Sequence, residues 1–141
     1  MAPSTNFLLI KSVIENTDKK AIHAYYEGDP AGTTRKLWPH VLGWSRTGPG
    51  SPDVEMVLCY QYDGYSGRPL ATPHPKLKKN CRCFKVASLK DPANPTNSQV
   101  LVIDFDPINP PPPTGDTWEP KKFTFKQVKK QNCVDDVEVF R

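Results

Sequence analysis

From Thr5 to Asn16 the chain reads TNFLLIKSVIEN, and Phe7, Leu8, Ile10, Val13 and Ile14 recur at helical spacing. Ser4 or Thr5 stands where an N-cap belongs, so the segment predicts one helix that lays its apolar stripe on a sheet. Beyond it the period changes to two. KAIHAYYE, from Lys20, puts Ile22, Ala24 and Tyr26 on one strand face. The turn formers of GDPAG follow, and TRKLWPHVLG predicts a second strand with Arg35, Leu37, Pro39 and Val41 sharing a face. Pro39 lacks a ladder donor, so it places that strand at an edge or marks a bulge. VEMVLCYQY is the strongest strand and is expected to be central. CRCFKVASL alternates Arg82, Phe84 and Val86 against Cys81, Cys83, Lys85 and Ala87, and QVLVIDF makes a fifth strand.

One helix and about five strands predict a mainly β domain, a small curled sheet or barrel. The connections are rich in turn formers. DGYSGRPLATPHPKLKKN is long for a compact domain, and DPINPPPPTGDTWEP reads as a polyproline-like surface strap. The tail KKFTFKQVKKQNCVDDVEVF gives one or two strands, or a strand and a short helical turn. Sixteen prolines and eight glycines exclude long helices over most of the chain. A chain of 141 residues has room for one such domain. Its parts are a helix in 1–19, a barrel in 20–106 and a proline-rich strap with a C-terminal β extension in 107–141.

A net charge of +4 and a pI near 8.9 favour an anionic partner without the charge density of a nucleic-acid coat. No apolar run approaches the ~20 residues that span a bilayer. The opening residues lack the basic region of a leader, so a cytoplasmic protein without a membrane partner is expected. Cys59, Cys81, Cys83 and Cys133 lack zinc spacing with His23, His40 and His74, and without a secretory signal they read as small buried thiols.

Templates for phosphate loops, nucleophile elbows and zinc helices do not occur, so no catalytic residue, cofactor or metal is assigned. Asp104 and Asp106, at i and i+2 on one strand face, could hold a divalent metal, but no further carboxylate or histidine stands nearby to complete a site. Asp135 and Asp136 read as a solvated turn. Pro110–Pro113 carries no adjacent Arg or Lys and reads as a rigid linker. The basic residues carry more. Arg35 and Arg82 alternate with apolar residues on separate strands, and a strand arginine in a core register must be paired or line a pocket. With Lys85, Gln61 and Tyr26 they outline an anion pocket in which Tyr25, Tyr60 or Tyr65 could also stack a base. The lysines of PKLKKN add a loop contact to a phosphate backbone.

AIHAYYEGD, RKLWPHVLG, VLCYQYDGYSG and RCFKVASL, in that order, resemble the WYL domain, above all its compact stand-alone relatives. Tyr25 or Tyr26, Arg35, Pro39, Leu42, Gly43, Tyr60, Gln61, Gly64, Ser66, Arg82 and Phe84 carry the likeness, which covers Ala21 to Leu89. VLCYQ stands where the naming tripeptide would fall. The resemblance implies a small Sm- or SH3-like β-barrel. It also implies a ligand-sensing module of the kind found in bacterial regulators and phage defence. Arg35 and Arg82 would be its anion contacts, with Tyr26 and Gln61 shaping the pocket. No helix-turn-helix pattern is read, so duplex reading by this chain alone is not expected. The expected function is thus non-enzymatic binding of a nucleotide or single-stranded nucleic acid. The alternative is a protein-interaction module or inhibitor working through the proline strap, Trp118 and apolar surface, as a monomer or a homodimer paired at a sheet edge.

Overall fold

A computed structural model describes residues 3–16, 20–67, 81–104 and 133–140. Helix α1 (Thr5–Asn16) precedes β1 (Lys20–Tyr26), β2 (Arg35–Ser45), β3 (Val54–Gly64), β4 (Cys81–Lys85), β5 (Leu89–Lys90), β6 (Leu101–Asp104) and β7 (Asp136–Phe140). The fold is mainly β: one antiparallel sheet curls into a half-barrel, in the order β4-β3-β2-β1-β5. β6 continues the β5 flank of β1, and β7 pairs with the second half of β2. Seven strands are described where the alternation predicts about five. The extra ones are short. CRCFKVASL breaks at a 3₁₀ turn, Val86–Ser88, which redirects the chain into β5.

Ser4 caps the helix: its Oγ accepts from the Phe7 N–H at 3.2 Å and donates to Glu55 Oε1 at 2.5 Å. Phe7, Ile10, Val13 and Ile14 are buried against one sheet face with Ile22, Leu37, Leu42, Val57 and Phe84. Burial of each large side chain contributes roughly 1.5–3 kcal/mol. Leu8, counted in the predicted stripe, is 53% exposed, because it lies on the turn of the helix that faces away. Asn6 is buried and fully used: its Nδ2 donates to the Leu89 and Ser98 carbonyls, and its Oδ1 accepts from the Val100 N–H at 3.0 Å. That amide ties the helix to the β5–β6 connection.

On the opposite face Ala21, Trp38, Val41, Leu58, Tyr60, Tyr62 and Val134 form a second cluster. Two register shifts interrupt the β2–β3 pairing, one at Lys36/Leu37 and one at Pro39/Val41. The second corrects the expectation that Arg35, Leu37, Pro39 and Val41 share a face. His40 is inserted there, which sends Leu37 to the helix side and Val41 to the other. Of the two positions open to Pro39, the bulge is the one observed, since β2 lies inside the sheet between β1 and β3.

The cysteines require a larger correction. Cys83 and Cys133 form a disulfide, with Cα atoms 6.2 Å apart across 50 residues of sequence, whereas Cys59 is a buried thiol. Local spacing could not reveal that pairing, because it depends on where the chain returns before β7. No helix among the described residues is long and apolar enough to cross a membrane.

Candidate functional site

The helix-side cluster ends in a polar constellation where β1 hands over to β2. Gly28 and Gly32, at φ +101° and +82°, let the GDPAG turn fold tightly. The Asp29 N–H donates to the Tyr26 carbonyl at 3.0 Å, and the Tyr25 hydroxyl donates to the Asp29 carbonyl at 2.6 Å. The turn therefore carries the Asp29 carboxylate back over the first residue of β2. Arg35 Nε donates to Asp29 Oδ2 at 2.8 Å and Nη2 to Oδ1 at 2.9 Å. Its Nη1 donates to Gln61 Oε1 at 3.0 Å, and Gln61 Nε2 donates onward to the Tyr65 carbonyl at 2.6 Å.

Three rings surround the guanidinium, with centroids 5.4 Å (Tyr26), 5.6 Å (Tyr65) and 5.3 Å (Phe84) from its carbon. Gly64 makes the enclosure possible. At φ +95° it turns the end of β3 against Thr34, where a Cβ would collide with the Thr34 carbonyl, and the Tyr65 N–H donates to that same oxygen at 2.9 Å.

Tyr26, Arg35 and Gln61 thus meet, with the guanidinium engaged by Asp29. Arg82 lies at the margin, on the same face of β4 as Phe84, its Nε and Nη2 3.4 and 3.3 Å from Ser66 Oγ. Lys85 is exposed and belongs to the other face, opposite Met56 of the second cluster. Tyr60 is buried in that second cluster too. Tyr25 is occupied with the turn, so Tyr26 and Tyr65 are the tyrosines beside the guanidinium.

The residue that sequence reasoning passed over is Asp29, read only as a turn former. It takes the place that a ligand's carboxylate or phosphate would take on Arg35. Its signal was an acidic side chain in the turn that delivers a strand arginine six residues later.

Elsewhere, Lys20 Nζ lies 2.5 Å from Asp104 Oδ1 and holds that carboxyl below its ordinary range, first by the hydrogen bond and then by its charge. Among the described residues no group of three or more His, Cys, Asp or Glu could hold a metal. Asp106, His74, Pro110–Pro113, Trp118 and the lysines of PKLKKN lie outside the described residues.

Comparison with protein-family models, with curated proteins and with solved structures finds no match for this chain.

Proposed function

We propose that this chain is a non-enzymatic binding module, an Sm- or SH3-like half-barrel that recognises an extended protein segment by strand addition at β6. One observation carries the reading. Among the described residues β6 pairs with β1 alone, so the outer row of its N–H and C=O groups has no described partner. Leu101 and Val102 are 51% and 38% exposed on opposite faces of that same strand. Edge strands are ordinarily guarded by lysine, proline or a bulge. Leu101, Val102 and Ile103 supply none of these, and the charge of Asp104 is matched by Lys20. An added strand gains main-chain hydrogen bonds along the edge, and the alternating apolar side chains give selectivity.

The test is a display selection of random extended peptides against the full chain, with amide chemical shifts of 101–104 as the map. Enrichment with shifts centred on β6, lost in Leu101→Lys/Val102→Lys, supports the reading. No enrichment, or shifts elsewhere, sinks it.

A second reading is binding of a nucleotide or single-stranded nucleic acid. The convergence of Tyr26, Arg35, Gln61 and Phe84, all residues of the WYL likeness, favours it. Because Arg35 is engaged by Asp29, phosphate contacts there would fall to Arg82. Fluorescence anisotropy of a labelled single-stranded oligonucleotide at low and near-physiological salt tests it. Saturable binding that weakens with salt and survives the β6 variant selects this reading over the first.

A further inference from the structure

β7 is attached to the sheet differently from the other strands. Residues 133–135 approach it across the second cluster, with Val134 packed beside Trp38, Val41 and Leu58. The Asp135 N–H donates to the Trp44 carbonyl at 2.9 Å. β7 then pairs with residues 41–44 of β2, with a register shift at Leu42/Gly43. Its charged contacts are at the surface: Arg46 with Asp136 at 2.7 Å, and Lys11 with Glu138 at 3.8 Å. Exposed pairs of this kind stabilise little. Val137 and Phe140 are exposed, and of this strand only Val139 packs against the helix-side core, as a partly buried neighbour. The covalent link at Cys133 therefore stands out among its attachments. It runs to Cys83 on β4, on the far side of β3 from β2.

We propose that the Cys83–Cys133 disulfide is a reducible latch: it fastens β7 to the half-barrel, and its reduction releases residues 133–140 while the helix-side core stays folded. Release uncovers the 41–44 flank of β2, a second place for a strand to pair. This inference does not depend on the β6 reading. The reductant is a dithiol. One of its thiolates attacks a sulfur of the disulfide, and its second thiol resolves the mixed disulfide. The dithiol leaves as a cyclic disulfide, and Cys83 and Cys133 together take up two electrons and two protons.

The selectivity follows from where apolar area is buried. Phe7, Ile10, Ile22, Leu37, Val57 and Phe84 hold the core without any residue of 133–140 among its fully buried members. Local opening follows such differences in buried contact.

The experiment is amide hydrogen exchange on the full chain before and after dithiothreitol, beside a non-reduced peptide map. The map is expected to show the Cys83–Cys133 linkage. On reduction the amides of 137–140 should exchange roughly a hundredfold faster or more, the order expected when a cross-link closing a loop of this size is lost. Those of α1, β1 and β3 should keep their protection. Cys83→Ser/Cys133→Ser should show the released pattern without reductant and no further change with it, which excludes an effect through Cys59 or Cys81. Absence of the linkage, unchanged exchange of β7 after reduction, or equal acceleration throughout the core would each overturn the proposal.

Discussion

Arg35 and Asp29 meet through two parallel N–H···O bonds, of 2.8 and 2.9 Å, with both side chains more than nine-tenths buried. Planar guanidinium and carboxylate match as forks, and Gln61 takes a further donor. A guanidinium committed in this way to an interior carboxylate acts on its own turn. It holds GDPAG against the start of β2 and gives Tyr26, Tyr65 and Phe84 a cation to pack around.

Removing Asp29 leaves that cation buried without its partner. Asp29→Ala is expected to destabilise the fold by about 3–5 kcal/mol in urea unfolding. Asp29→Ala combined with Arg35→Met should cost clearly less than the two single changes added together, because no ion is then left unpaired. Strict additivity would show that the pair is not coupled.

Much of the scaffold was legible in the chain. The helix over Thr5–Asn16 matches the spacing of Phe7, Ile10, Val13 and Ile14, and Ile22 and Ala24 share the helix-side face as alternation predicts, with Tyr26 packed beside them. Local signals failed where the decisive contact is distant. His40 is an inserted residue only with respect to β3, so the face exchange between Leu37 and Val41 has no marker in TRKLWPHVLG beyond its proline. Cys133 gives no sign that it reaches Cys83, since the pairing is made by the return of the chain to β2. At the site the pattern identified the strand arginine and Gln61. It missed Asp29 because turn propensity already explained an aspartate there. That one carboxylate changes what Arg35 can do.

Gly43 lies against the start of β7. A Cβ at this position would collide with the Asp136 carbonyl oxygen and lie 2.6 Å from Val134 Cγ1. Gly43→Ala should therefore cost about 1–3 kcal/mol of stability, as overpacking does. Amide shift changes should spread along Val134–Phe140 and spare α1. Wild-type stability in urea would mean that β7 lies farther from β2 than described.

His23 sets a pH dependence near neutrality. Its Nε2 is 2.8 Å from Thr34 Oγ1. Burial first, and the charge of Lys36 second, lower its pKa below 6.5, against a smaller opposing effect of Asp63. The unfolded chain thus takes up this proton at a higher pH than the folded one. As pH falls through 6.5 the unfolded state binds more protons and stability declines, levelling off once the folded imidazole is also protonated. His23→Gln should remove that part of the decline. Asp104 and Asp136, whose carboxyls Lys20 and Arg46 hold below 3.8, act in a separate window at lower pH. Urea midpoints of both proteins across pH 5–8 give the comparison, and identical slopes would exclude His23 as the source.

Val102→Lys separates the strength of the fold from the use of its edge. Val102 pairs with Ile22 across β1 but is 38% exposed, so a lysine there can direct its ammonium into water. The change in stability should stay within about 0.5 kcal/mol, as for surface sites in general. The same charge beside the outer row of β6 opposes an approaching strand, the means by which edge strands are commonly protected. An extended peptide selected on the wild-type chain should therefore lose at least about tenfold in affinity for Val102→Lys, near 1.4 kcal/mol. Titration calorimetry with matched urea unfolding distinguishes the cases. Lost affinity with intact stability places the peptide on β6. Retained affinity at intact stability places it elsewhere on the sheet, where the 41–44 flank of β2 after reduction is the next position to examine.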